Sequence, residues 1–218
     1  RNQTHLRCGV TISDLSTCSG SIASVVLSDG SEIPTDLLLV SIGVLPATSW
    51  LQGSGIELHA DGSIACNEYL QTSLDDVYAA GDVVSWPNAI TGSNGRLETW
   101  TSANEQGAVA GKNAVGATDR QTYSTVPYFW SDWYGNRIQF VGSAAEAEPH
   151  VVFGSIESDK FVALYRLDDR VVGALSVNEP SKIMKDRRRI QNGAGWVEMT
   201  EHYRNLKDRV LQEQTSAV

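Results

Sequence analysis

Apolar and polar positions alternate in short runs over the first part of the chain. Ile22 to Leu27 reads as a strand, and Ser28-Asp29-Gly30 as a hairpin turn, since Asp-Gly accepts the positive φ such turns need. Cys8 to Ile12 reads as an earlier strand, so residues 8–42 predict a β-meander. Leu37 to Ile42 is an apolar run broken only by Ser41; it predicts a strand covered on both faces, ending at Gly43, with Pro46 blocking extension. Residues 47–70 are mixed, with Asp61-Gly62 as a turn. Val77 to Ala80 predicts a short strand, followed by a Gly- and Asn-rich loop over 88–95. Ser102 and Glu105 have capping-box spacing and predict a helix over about 102–115. Its small residues, among them Ala103, Gly107 and Ala110, suit close approach to a sheet or to a cofactor, and both readings stay open.

The pattern changes after a polar stretch, 118–126, that predicts a linker. Arg137 to Val141, Val151 to Phe153, Phe161 to Leu167 and Val171 to Val177 predict antiparallel strands, with Asp168-Asp169 as a hairpin turn. A charged helix over about Ser181–Gln191, stopped by Gly193, and a last helix over about Val197–Leu211 complete a small α+β arrangement.

Composition narrows the function classes. The 218 residues carry 41% hydrophobic and 20% charged positions, an ordinary balance for a globular protein. A net charge of -9 argues against nucleic acid or an acidic membrane as partner, because both need a basic surface. The 3 cysteines, Cys8, Cys18 and Cys66, form no C-x-x-C pair, which argues for reduced thiols in a cytoplasmic protein. No apolar run approaches a membrane span. The chain opens on Arg1 rather than Met and reaches strand-like sequence within a few residues, so it reads as a piece of something longer.

Thr72 to Asp82 reads T-S-L-D-D-V-Y-A-A-G-D. The predicted strand runs straight into Gly81-Asp82, and a glycine there lets a ligand approach the backbone. An ionised Asp beyond the carboxyl end of a strand sits where α/β sheets bind ligands, and it accepts hydrogen bonds from hydroxyls. A buried strand ending in a Gly-Asp turn accounts for the same residues without a ligand. The spacing of Thr72, Ala79, Gly81 and Asp82 resembles the second FAD-binding motif of two-dinucleotide-domain flavoprotein reductases. Leu37–Pro46, about thirty residues upstream, resembles the strand that returns the chain from their NAD-binding domain. Glu98-Thr99-Trp100 resembles the E-x-W stretch that leads their flavin-facing helix. V-P-Y-F-W-S-D-W-Y-G at 126–135 resembles the start of the C-terminal domain in oxygenase-coupled NADH–ferredoxin reductases; many relatives have Gln where Trp133 stands. Without the resemblance, Glu98 reads as a solvated acid, Trp100 as core packing, and the 126–135 aromatics as a second small core.

The resemblance implies an α/β and α+β architecture, part of a two-dinucleotide-binding-domain flavoprotein reductase followed by a small α+β C-terminal reductase domain. Residues 1–45 would be the tail of the NAD-binding domain, 46–121 the second segment of the FAD-binding domain, and 122–218 the C-terminal domain. It implies FAD and NAD(P)H as cofactors and electron transfer to an acidic two-iron two-sulfur ferredoxin serving an oxygenase, with a homodimer as a further expectation. Asp82, with Gly81, would hold the ribityl chain; Trp100 and Trp130 would frame the flavin; Glu98 and Gly43 would face the nicotinamide. No acid–base or nucleophilic residue is assigned, because the chemistry belongs to the cofactors. The family's two G-x-G-x-x-G fingerprints do not occur in these 218 residues, so the helix N-termini that cradle pyrophosphate are lacking and the polypeptide alone is expected to hold FAD weakly or not at all. The basic run Lys182, Lys185, Arg187, Arg188, Arg189 reads either as a solvated helix face or as a patch that steers an acidic ferredoxin. A flavin disulfide reductase or peroxidase, and a flavin-free interaction or dimerisation module, remain as alternatives.

Overall fold

A computed structural model describes residues 4–116 and 119–216; the expectations placed on Arg1 and on residue 118 lie outside them. The chain divides into two compact units, Arg1–Val44 and Leu45–Val218.

The first unit is an antiparallel meander, β1 (Ile12–Cys18), β2 (Ser21–Leu27) and β3 (Glu32–Pro34). Its first strand begins where sequence placed the end of one. The two-residue turn Ser19-Gly20, with φ of 51° and 82°, fixes the register, so that β2 pairs with Ile12–Cys18 and leaves Cys8 to Thr11 outside the ladder. The Ser28–Gly30 turn forms as expected, with Asp29 Oδ1 accepting from the Ser31 amide at 2.9 Å. Leu37–Ile42 is not a strand: Leu37 is 75% exposed and Ile42 is 91% exposed. An apolar run becomes a covered strand only with a hydrogen-bonded neighbour, and among the described residues it has none.

The second unit contains two blocks. In the first, β4 (Ile64–Ala65) runs parallel to β5 (Val84–Asn88), and β6 (Ser93–Gly95) returns antiparallel to β5. The Gly- and Asn-rich loop is thus the tip and return strand of a hairpin. Helix α1 (Trp100–Ala114) starts two residues earlier than the capping-box spacing predicts, because Thr99 Oγ1 accepts from the Ser102 amide and caps it. Val77–Ala80 pairs locally with 70–72, Ala79 N donating to Leu70 O at 3.0 Å and Thr72 N to Val77 O at 2.8 Å, but it joins no sheet. The regular strand comes after Gly81-Asp82, since Val84, Ser85 and Trp86 are the residues buried against β4 and the core of Leu70, Ala110 and Tyr123.

The second block is an antiparallel sheet of β7 (Tyr128–Trp133), β8 (Asn136–Gly142), β9 (Glu148–Ser155), β10 (Lys160–Leu167) and β11 (Arg170–Val177), in the order β7-β8-β11-β10-β9. Helices α2 (Pro180–Gln191) and α3 (Trp196–Ser216) pack on it. The aromatic 128–133 stretch is an edge strand, and the turn that follows falls at Tyr134-Gly135, where φ is 49° and 84°. Val141, Val162, Leu164, Ile183, Met199 and Tyr203 form the core. Inside it sits Asp186, whose carboxylate accepts from Tyr203 Oη and from Arg189 Nη1 at 3.1 Å; burial nonetheless raises its pKa above the usual carboxylate value.

Residues 119–127 join the blocks, and they are not a loose linker. Tyr123, Thr125 and Val126 are buried. The Tyr123 ring lies 5.3 Å from that of Trp86, whose Nε1 donates to Tyr123 O at 3.3 Å. Two asparagine side chains act as substitute strand partners. Asn113 Nδ2 donates to Gln121 O and its Oδ1 accepts from Gln121 N, both at 2.9 Å. Asn88 Nδ2 donates to Thr125 O at 2.8 Å and its Oδ1 accepts from Thr125 N at 3.2 Å.

Candidate functional site

The turn Gly81-Asp82 leads into β5 and leans on α1. Gly81 has a φ of 89°, and a Cβ there would stand 3.8 Å from Ala103 Cβ. Its N–H donates to Gln106 Oε1 at 2.7 Å. Asp82 is exposed, and among the described residues its carboxylate has no hydrogen-bond or ion-pair partner. The strand it was expected to follow lies after it, so the turn stands at the amino end of β5 rather than at a carboxyl end.

Arg96 organises the approach to this turn. Its Nη1 donates to Asp82 O at 2.9 Å, its Nη2 meets Glu98 at 2.7 Å, and its Nε meets Asp61 at 3.2 Å. The Ser63 hydroxyl and amide hold the Asp61 carboxyl below its ordinary value, with Arg96 adding to the effect. Glu98 is therefore an exposed acid that is also ion-paired. No sequence signal marked Arg96: it is one cation in a polar loop, and its partners are brought together only by the fold.

Trp100, the first residue of α1, is 72% exposed and meets Trp130 of β7 edge to face, with centroids 6.2 Å apart and planes at 81°. Trp130 stacks on Tyr128 at 5.4 Å, and the Arg137 guanidinium lies 5.8 Å from the Trp130 ring. The structure thus brings Gly81, Asp82, Glu98, Trp100 and Trp130 onto neighbouring segments of one unit. Trp100 is not core packing. Gly43 belongs to the other unit, where its φ is 99° and a Cβ would meet nothing within 4 Å.

The 182–189 run is largely consumed by ion pairs. Lys182 pairs with Glu179, Arg187 with Glu105 at 3.0 Å, and Arg189 with Asp186 at 3.1 Å, leaving Lys185 and Arg188 exposed. Burial pushes the Cys66 thiol up to about 11, which makes it a poor nucleophile. Cys8 and Cys18 are exposed free thiols. Among the described residues no His, Cys, Asp and Glu group could hold a metal, and no helix is long and apolar enough to cross a membrane.

The residues present fit a flavin. A backbone turn open at glycine, a carboxylate left without a protein partner beside it, and exposed indoles are complementary to a polyhydroxyl chain and a flat ring.

Residues 1–107 match the family of pyridine nucleotide-disulphide oxidoreductases, and residues 128–201 match the reductase C-terminal family. Together these matches place the chain in a class of oxidoreductases whose members use FAD and NAD(P)H. Within that class it belongs with the reductases that carry this C-terminal region. It is 34% identical over 168 residues to apoptosis-inducing factor 3 of Homo sapiens, covering 77% of this chain and 27% of that protein. It is 32% identical over 186 residues to rhodocoxin reductase of Rhodococcus erythropolis, covering 84% of this chain and 42% of that protein. The ferredoxin reductase for the CYP199A2 system of Rhodopseudomonas palustris superposes with a TM-score of 0.79 at 26% identity, over 86% of this chain and 45% of that one. The chain spans less than half the length of each.

Proposed function

We propose that this chain is the part of an FAD-dependent NAD(P)H–ferredoxin reductase that closes the flavin site and presents it to the ferredoxin. The observation that carries the reading is the exposed Trp100–Trp130 pair, set on segments adjoining the Gly81-Asp82 turn, in a chain whose relatives include ferredoxin reductases. In this reading residues 1–45 end a nucleotide domain, 46–121 complete the FAD domain, and 122–218 form the C-terminal reductase domain. Bound there, FAD would supply the conversion between the two-electron donor, a reduced nicotinamide nucleotide, and a one-electron acceptor.

The chain's own residues hold and shield. Asp82 accepts hydrogen bonds from ribityl hydroxyls, and Arg96 fixes its backbone. Trp100 and Trp130 wall the ring and keep water from it. Glu98 faces the nicotinamide. The partner is an acidic two-iron two-sulfur ferredoxin, approached through the Trp130 and Trp133 edge strand and the exposed cations Lys185 and Arg188.

The test is a polypeptide extending this chain to include both nucleotide fingerprints of the family. It should purify yellow and reduce such a ferredoxin with NADH. A colourless product, or a flavoprotein that reduces ferricyanide but no ferredoxin, would overturn the reading.

A further inference from the structure

Arg187 lies on α2, yet its side chain leaves the helix surface and inserts between the two blocks. Nε donates to Val126 O at 2.9 Å, and Nη2 donates to Glu105 Oε1 at 3.0 Å and to Thr125 Oγ1 at 2.9 Å. Glu105 is the end of a polar chain. Its Oε2 accepts from Thr125 Oγ1 at 2.9 Å and from Tyr123 Oη at 3.0 Å. With the Tyr123 proton so placed, Ser102 donates to Tyr123 Oη at 3.2 Å. Ser102 Oγ in turn accepts from Gln106 Nε2 at 3.3 Å, and Gln106 Oε1 accepts from the Gly81 amide at 2.7 Å.

Every donor from Gly81 to Tyr123 therefore points the same way, and the series ends on a carboxylate that Arg187 holds in place. Hydrogen bonds aligned head to tail polarise one another, most where water is excluded. Gln106, Ser102 and Tyr123 are all buried. Arg187 also reaches the aromatic wall, because its guanidinium lies 5.9 Å from the Tyr128 ring that stacks on Trp130.

We infer that Arg187 is a positioning residue for the flavin site: from α2 it sets the Gly81-Asp82 turn through Glu105, Tyr123, Ser102 and Gln106, and steadies Trp130 through Tyr128. The flavin part of this inference rests on the proposed function; the coupling to Gly81 does not.

The experiment follows the Gly81 amide in the nitrogen-15-labelled full chain without FAD. Arg187→Gln should speed its hydrogen exchange about ten-fold, as expected from losing one charge-assisted hydrogen bond, and should shift the Trp130 indole signal. Leu164, in the centre of the sheet, reports global stability and should change less. Arg187→Lys keeps the charge but loses the three-bond fork, and should fall between. Arg188→Gln, on the exposed face of the same helix, should change neither signal. In a Tyr123→Phe background the relay is already cut, so Arg187→Gln should add nothing at Gly81. An equal effect at Gly81 and Leu164, or the same added effect with and without the Tyr123 hydroxyl, overturns the relay. FAD titration separates the two parts. If the polypeptide extended to include both nucleotide fingerprints takes FAD and Arg187→Gln does not weaken it, the positioning role is overturned; if that extended polypeptide takes none at millimolar FAD, the flavin reading fails while the Gly81 amide still decides the coupling.

Discussion

Residues 37–44 and residues 119–127 are inverted relative to their compositions. The first is almost wholly apolar and stands in solvent, with Leu39 84% and Ile42 91% exposed. The second is mostly polar, yet its later half is sealed, with Thr125 and Tyr123 at 5% and 4% exposure. The difference lies in backbone partners. Burying a peptide without hydrogen bonds is costly, and burying it with them is nearly free of that cost. Asn88 and Asn113 supply both a donor and an acceptor to the polar segment, whereas no described strand pairs with the apolar one.

The comparison breaks most sharply at Asn88. Asn88→Ala leaves the buried N–H and C=O of Thr125 unsatisfied, at about 1–3 kcal/mol for each group, so urea unfolding should show a loss of about 2–6 kcal/mol. A loss under 1 kcal/mol would mean the segment is held by its side chains alone.

Tyr123→Phe sharpens the comparison through pH. Burial first, and then the neighbouring Glu105, push the phenol up to about 12 from its ordinary 10.0. A folded value above the unfolded one gives stability that is full below pH 10 and lost as pH rises through about 12. The native chain should lose on the order of 2–3 kcal/mol more than Tyr123→Phe across that window. Parallel alkaline denaturation curves would show that this phenol does not control it.

Asp186 tests the same rule inside the sheet block. Its folded pKa is raised by burial, so its contribution is full below the ordinary 3.8 and declines as pH rises through the folded value. The melting temperature of Asp186→Asn minus that of the native chain should therefore increase from pH 4 to pH 7. A decrease would mean that the Arg189 pair outweighs desolvation.

The smallest effect belongs to the exposed run. Leu39→Ser with Ile42→Ser should change unfolding free energy by no more than about 0.5 kcal/mol, as for surface positions generally. A larger loss would show that the apolar segment is covered after all.

What the sequence made legible follows from these contrasts. The β8–β11 strands, both late helices and the Asp168-Asp169 turn were readable because alternation, 3.6-residue spacing and turn residues all report local geometry. The aromatic 128–133 strand was not predicted as one, because Tyr, Phe and Trp at consecutive positions hide the period of two. The strand after Gly81-Asp82 was displaced because Val77–Ala80 is as apolar as a strand but finds only a local partner. Of the candidate site, Gly81, Asp82, Trp100 and Trp130 were singled out by motif spacing. Arg96, Gln106 and Arg187 were not, since each acts on residues 14 to 82 positions away. The basic run was read as a unit, but charge alone does not show that Arg187 turns inward while Arg188 stays in water.

The asparagine clamps on residues 119–127 also bear on how the second unit comes apart. Two blocks on a slack tether would give two calorimetric transitions and a preferred protease cut between them. Here the tether's backbone is engaged to the first block and its Val126 is part of the core of the second. Heating should therefore release both blocks in one endotherm, and chymotrypsin should spare the bond after Tyr123 until that endotherm is reached.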